Sequence, residues 1–416
     1  MDKSIERIEI KRFFYPIGHG GFYAEKHKIG KDRFTIVYDC GSKTPTIANT
    51  IIEKAFDKKE IIDILFISHF DADHVNKINF LKKRTTIKNV VMPLLHKEEI
   101  YLLKNMFRVL KLPILRLLSN PKQFFDKNTK IIKIRPTDNM EGNIDTRNAI
   151  DLDNLNDFIQ DSGRSIRKSS LHYEWVFIPY NYEHKERLKQ LKEKLLGANF
   201  TEEDIIALQK DPEWTLKKIE IDIDKSTTRD KTKFKNLYNS LVSSTNKKIK
   251  INETSMLLYS GIVTLSKDNL FKKSCIFNFN TNKDLSSISK RTDKVSSLYT
   301  GDINLKDIDV KRIFSSLWRN IGTIQIPHHG SVENFEKSVL GDKYHICPIS
   351  VSNSLTGHHP AKSVIDDIKS QDSYPVLVTK ELDSGLIEYI NNDDEIIKYD
   401  KKIEKLGCLK HLLHLQ

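Results

Sequence analysis

The sequence predicts a layered α/β fold, on three observations. Short apolar runs alternate with helical patterns over residues 8–110, the signature of strands packed against helices. The same alternation returns after residue 251. Between them, residues 111–250 are polar, lysine-rich and irregular, and read as a mainly helical insertion.

In order, Ile8 to Tyr15 is a strand, followed by a glycine turn at Gly18-His19-Gly20-Gly21. Arg33 to Tyr38 is a second strand, ending in Asp39-Cys40-Gly41-Ser42. Thr46 to Ala55 has helical periodicity. The β-branched run Ile61 to Ile67 reads as a buried strand. A helix over 76–83, a strand over 89–94 and a helix over 97–110 complete the first part. In the insertion, Glu174 to Tyr180 is a strand, and helices are expected over 183–196 and 201–210. Trp175, Phe177 and Trp214 require a place to pack, so the insertion is not a free linker. After 251 come strands at 255–259, 274–279 and 296–299, a helix over 310–318 and a strand over 321–326. A strand over 344–351, a helix over 361–370 and a strand over 375–379 follow. Residues 403–416 have the pattern of a short amphipathic helix.

The 416 residues, 38% apolar, suffice for one large or two ordinary domains with a core. The net charge of +12 favours polyanionic partners. A lysine-rich composition that only solvates the surface accounts for it equally well. The four cysteines are scattered without a C-x-x-C pair, which excludes a zinc ribbon and a disulfide framework. The first ten residues contain no apolar core of a signal peptide, and no apolar run has membrane-spanning length. A cytoplasmic protein with no membrane association is expected.

The most informative segment is Ser68-His69-Phe70-Asp71-Ala72-Asp73-His74. It follows a strand and so falls at the carboxyl edge of a sheet, where ligands bind in open α/β folds. Imidazoles and carboxylates together suit zinc and manganese, and burying so many ionisable groups without a cation would be costly.

Four motifs, Asp39-Cys40-Gly41, His69-x-Asp71-x-Asp73-His74, Gly301-Asp302 and His328-His329-Gly330-Ser331, occur in the order of the metallo-β-lactamase fold. Asn252-Glu253-Thr254-Ser255-Met256-Leu257 and His359-Pro360 add a narrower likeness. The set resembles the metallohydrolase domain of DNA-uptake competence proteins (ComEC-type) and their stand-alone relatives, over residues 5–110 and 251–380. The resemblance implies a four-layer αββα sandwich whose halves, 1–110 and 251–416, flank the insertion. It implies two divalent ions, zinc or manganese, about 3.5–4 Å apart with a hydroxide between them. By position, His69 and Asp71 would bind one ion, and Asp73 and His74 the other. Asp302 would bridge, and His328 or His329 would complete the second site. The broader family has His at position 71. Asp71 makes the site richer in oxygen and moves the preference toward manganese. The usual third-motif His is missing, with Asn252, Thr254 and Ser255 in its place.

Asp39 either orients a ligand imidazole or serves the turn before Gly41. His359 either meets the substrate and protonates a leaving group or serves helix entry beside Pro360. Asp73 and His359 are the catalytic candidates. Ser331 and Asn353 could bond a phosphate, and Ser331 equally well caps a turn. His358 points away from the site, and His19 is a pocket residue. His27, His96, His172, His184, His411 and His414 are read as core or surface histidines.

The function expected is a metal-dependent phosphodiesterase or nuclease in which a metal-bound hydroxide attacks phosphorus. A small-nucleotide hydrolase is the rival enzyme. A module recruiting a protein partner through the insertion is the rival of another class. β-Lactam hydrolysis is disfavoured by the lack of an export signal.

Overall fold

The computed structural model describes residues 7–96, 99–100, 103–104, 115–141, 144–154, 158–171, 174–183, 193, 196, 201–203, 206–207, 255–263, 271–278, 283–284, 294–341, 344–352 and 359–392. Most of the helix expected over 97–110, nearly all of the two over 183–210, and the basic run 225–233 lie outside the described residues. So do Asn252, Glu253, Thr254, Asn353, His358 and the tail from 403.

The first elements are β1 (Ile8–Phe14), β2 (Phe22–Ile29), β3 (Asp32–Cys40), α1 (Pro45–Ala55), β4 (Ile61–Phe66), α2 (Ala72–Val75), α3 (Ile78–Arg84) and β5 (Thr86–Pro93). Next come α4 (Leu115–Ser119), α5 (Pro121–Phe124), β6 (Lys130–Ile134), β7 (Asp145–Asp151), β8 (Phe158–Gln160), β9 (Arg164–Arg167) and β10 (Trp175–Tyr180). The last third supplies β11 (Leu257–Ile262), β12 (Lys272–Asn278), β13 (Lys283–Asp284), β14 (Ser296–Tyr299), α6 (Val310–Ile313), β15 (Ile321–Ile324), β16 (Ile346–Ser350), α7 (Lys362–Ser370), β17 (Tyr374–Val378) and β18 (Leu386–Asn391).

Two sheets form. One has the order β13-β12-β18-β1-β2-β3-β4-β5-β6-β8, the other β17-β16-β15-β14-β11-β10-β9-β7. Three bodies of apolar side chains define four layers. Phe14, Tyr38, Trp175, Leu258 and Tyr299 pack between the sheets. Phe13, Val37 and Leu65 on the outer face of the first sheet pack against Ile51 and Ile52 of α1 and Leu81 of α3. Ile178, Leu298 and Ile324 of the second sheet pack against Ile313 of α6 and Val364 of α7. The molecule is the αββα sandwich of the metallo-β-lactamase fold. Each fully buried side chain of this size contributes roughly 1.5–3 kcal/mol.

Local sequence explains the helices that frame the site. Pro45 occupies the first turn of α1, where its missing N–H is no loss, and Ala48, Ile51, Ile52 and Ala55 make one buried stripe. α7 buries Val364, Ile365 and Ile368 at the same spacing. It starts at Lys362 with Ala361 as its cap residue, so Pro360 lies before the helix.

The strands expected from the sequence do not include β2 and β18. β2 and β18 each place charged residues on the face between the sheets. Arg12 Nε donates to Glu25 Oε1 at 2.8 Å, and Arg12 Nη1 to Glu388 Oε2 at 2.7 Å, all fully buried. Tyr299 and Ser260 donate to Glu25, and Thr323 to Glu388. His27 Nε2 lies 3.1 Å from Glu25 Oε2. Burial alone would lower the pKa of Arg12, but the two glutamates outweigh it and raise it. Burial alone would raise that of Glu25, but Arg12 and His27 hold it well below the carboxylate range. A satisfied network of this kind breaks the apolar alternation by which strands are read.

Residues 130–180 also correct the expected layout. β6 and β8 extend the first sheet, while β7, β9 and β10 extend the second. Five strands from the stretch expected as a mainly helical insertion are therefore part of the two sheets. β6 to β9 are short, and β7 is largely unburied, so they carry little apolar pattern, whereas β10 coincides with the strand expected over Glu174 to Tyr180.

Candidate metal centre

The parallel strands β3 and β4 of one sheet and β14, β15 and β16 of the other end at a common edge. The four motifs meet there. His69 lies just past β4, Asp73 and His74 lie in α2, Asp302 follows β14, and His328 and His329 follow β15. All are buried.

Two groups of donors form, with the ligand atoms of each within 4.8 Å of one another: His69, His74 and Asp302, and His19, Asp73 and His329. His74 Nε2 is 3.3 Å and His69 Nε2 3.9 Å from the Asp302 carboxylate. His329 Nε2 is 3.6 Å from Asp73 Oδ2. His19 packs against His329 with ring centroids 3.6 Å apart and planes 42° from parallel.

This grouping corrects the expected pairs of His69 with Asp71 and Asp73 with His74. Asp73 and His74 are consecutive in the first turn of a helix, so their side chains diverge by about 100° and cannot face the same ion. His74 turns to Asp302, and Asp73 turns to His329. Asp71 is the cap residue of α2, with extended backbone, and joins neither group. It borders the site nonetheless: burial, with Asp73 and Asp302 adding to it, pushes its carboxyl up to about 7.

His328 and His329 take different partners. Both residues have left-handed backbone, φ 45° and 57°, which aims the two rings in different directions. His329 joins Asp73, while His328 Nδ1 lies 3.0 Å from Asp302 Oδ2. His359 is half-buried, its ring centroid 5.9 Å from that of His328 and 6.3 Å from that of His19. Ser331 serves the turn, its hydroxyl accepting from Glu333 N–H.

A surrounding shell fixes the imidazoles. His329 Nδ1 donates to the Ser350 carbonyl at 2.8 Å, which leaves Nε2 facing Asp73. His74 Nδ1 donates to Asp39 Oδ2 at 2.8 Å. Ser68 Oγ donates to the same carboxylate at 2.6 Å, so it accepts from His69 Nδ1 at 2.8 Å. Ser255 Oγ accepts from Asp302 N–H and lies 3.1 Å from His69 Nδ1, which gives the segment lacking the third-motif His a structural task. Asp39, at φ 58°, also accepts from Ser68 N–H. A Cβ on Gly41 would lie 2.5 Å from the Asp73 carbonyl, and one on Gly21 2.6 Å from His74 Nδ1. Glycine at both positions lets the loops close on the donors.

These donors fit divalent cations. His69 Nε2 and His74 Nε2 are buried without a hydrogen-bond partner among the described residues, and both face Asp302. Burial, with His74 adding to it, lowers the pKa of His69 to about 3, so it is neutral. Burial would lower that of His74 too, but Asp302 and Asp39 outweigh it and hold the ring well above the ordinary imidazole value. A proton and a metal ion thus compete for this nitrogen. Residues 29–152 match the model of the Metallo-beta-lactamase superfamily.

The matched segment contains Asp39, His69, Asp71, Asp73 and His74. Among solved structures, the chain is similar to the metallo-beta-lactamase fold protein YhfI from Bacillus subtilis, at 10% identity and a TM-score of 0.36, covering 89% of this chain and 95% of that one. It is also similar to a long form RNase Z from yeast, at 12% identity and a TM-score of 0.29, covering 91% of this chain and 38% of that one. No curated protein matches the chain. Among the described residues, no helix is long and apolar enough to cross a membrane.

His19 was legible as a pocket residue from its flanking glycines, but not as a member of a donor group. The partner that makes it one, His329, is 310 positions away in sequence. Ser68 and Ser255 carried no signal, since a serine orienting an imidazole has no spacing of its own.

Proposed function

We propose that this protein is a two-metal hydrolase of phosphate esters, a phosphodiesterase or nuclease of the ComEC-type branch, with nucleic acid as its substrate class. The observation that carries the reading is the pair of donor groups, His69/His74/Asp302 and His19/Asp73/His329, brought together at one sheet edge with the His74 and His329 ring centroids 6.1 Å apart. Each offers two imidazoles and one carboxylate, a set suited to zinc or manganese. When bound, such ions supply Lewis acidity to a phosphoryl oxygen and acidify water.

The chain's own residues supply the rest. Asp302 and Asp73 bring negative charge that holds cations in a buried site. Asp39, directly and through Ser68, holds His74 and His69 with Nε2 inward. Asp73 positions the attacking water together with His329. Lys43 stands at the rim, its Nζ 3.5 Å from Asp73 Oδ2 and its side chain 59% exposed. A cation there recognises a phosphodiester and discriminates against neutral substrates. His359, beside His328, donates a proton to the leaving oxygen.

The test is hydrolysis of single-stranded DNA, duplex DNA, RNA and bis(p-nitrophenyl) phosphate after reconstitution with zinc or manganese. Turnover of a diester that EDTA abolishes, and that Asp73→Ala lacks, is expected. A metal-loaded protein that cleaves no phosphate ester would overturn the reading.

A further inference from the structure

The opposite end of the same strands holds a second cavity. It has a volume of about 520 Å³ and opens where β3 and β4 begin, on the outer face of the first sheet. Six residue-to-residue steps along β3 separate Arg33 at this cavity from Asp39 at the metal centre, roughly 20 Å at the rise of a strand. The cavity is thus no extension of the metal centre.

Its lining is charged with one dominant sign. Eight lysine and arginine side chains stand against four acidic ones. The acids are largely engaged: Glu60 with Lys26 at 2.8 Å, Asp63 with Lys88 at 3.2 Å, and Glu9 with Arg7, which lies outside the cavity. Lys28, Arg33, Lys54 and Lys58 form no ion pair among the described residues. Lys11 reports how the positive charge converges. Burial lowers the pKa of its ammonium, and Lys28, Lys26 and Arg33 push the same way against Glu9. Cations gathered at the mouth of one cavity attract anions.

The wall behind the cations is apolar. Phe13 and Tyr15 stack with centroids 5.5 Å apart and planes 2° from parallel, and Ile61 is 46% exposed. A cavity of this size takes a ligand of mononucleotide dimensions, with the apolar wall for a flat body and the cations for several negative charges. A single inorganic phosphate would fill little of it.

We infer that this cavity is a binding site for a nucleoside polyphosphate, with the phosphates on Lys11, Lys28 and Arg33 and the base toward Tyr15 and Ile61. The site is independent of the chemistry proposed for the metal centre.

Calorimetric titration of the full chain in EDTA tests this, because removing metal takes the other site out of the measurement. ADP and ATP should bind, and adenosine and inorganic phosphate should bind at least tenfold more weakly. Lys28→Glu with Arg33→Glu, both on exposed side chains, should weaken ATP about tenfold or more. Asp302→Ala should leave ATP binding unchanged. Absence of binding at millimolar ATP, equal affinity in the charge-reversed protein, or loss of binding in Asp302→Ala would each overturn the assignment. Displacement of ATP by an equimolar single-stranded oligonucleotide would also overturn it, by showing a surface for nucleic acid backbone.

Discussion

Asp39 Oδ2 lies 2.8 Å from His74 Nδ1 and 2.6 Å from Ser68 Oγ, so one buried carboxylate sets the tautomer of two imidazoles. The first is gripped directly and the second, His69, through the serine hydroxyl. Asp39→Asn keeps the shape but can present its amide N–H to either partner. Metal affinity measured by chelator competition should fall about 10- to 100-fold, with the thermal unfolding of the metal-free protein little changed. An affinity equal to wild type would show that Asp39 serves only the turn before Gly41.

Metal affinity should also depend on pH with a definite sign. His74 is held well above the ordinary imidazole value by Asp302 and Asp39 despite burial, so near neutrality its ring holds a proton that a metal must displace. His69, lowered to about 3, holds none there. Affinity at the His69/His74/Asp302 group should therefore weaken as pH falls, by about tenfold per unit between pH 8 and 7 for one displaced proton. Titrations in buffers of different ionisation enthalpy read that proton directly. A pH-independent affinity would contradict the assigned partners of His74.

Lys43 makes a kinetic prediction. It touches the rim of the site and not its interior, so Lys43→Ala should raise KM for a phosphodiester about tenfold with kcat within a factor of about two. A neutral carboxylic ester, if turned over at all, should show no change. A fall in kcat with KM unchanged would mean that Lys43 acts on bound substrate in another way.

The buried Arg12 network predicts a stability effect far from the chemistry. Arg12→Ala leaves Glu25 and Glu388 buried without their cation, which should cost about 3–5 kcal/mol, read from urea unfolding midpoints. The loss should shrink under acid conditions, where protonation can neutralise the stranded glutamates. A cost below about 1 kcal/mol would mean that water reaches the interior between the sheets.

Much of this arrangement was legible from the residues, and the parts that were not share a physical cause. Strands with clean apolar runs, such as Ile61 to Phe66, stood out, as did α1 with its single buried stripe. β2 and β18 did not, because Glu25, His27 and Glu388 face inward and are satisfied by Arg12 of β1 and by Ser260, Tyr299 and Thr323 of the other sheet. The candidate residues were legible as a set from the motifs, but their partition was not. It depends on the turn of a helix between Asp73 and His74 and on the left-handed backbone of His328 and His329, neither of which has a sequence signature in histidine or aspartate.

Metal content of purified, reconstituted protein, measured together with phosphodiester turnover in wild type and in Asp73→Ala with His74→Ala, tests the central claim most directly. The double variant removes one donor from each group. Wild type should carry two divalent ions per chain and cleave bis(p-nitrophenyl) phosphate, and the variant should lose both metal and turnover while unfolding cooperatively as a folded protein does. Wild-type metal content and turnover in the variant, or a wild type that binds no divalent ion, would contradict the account.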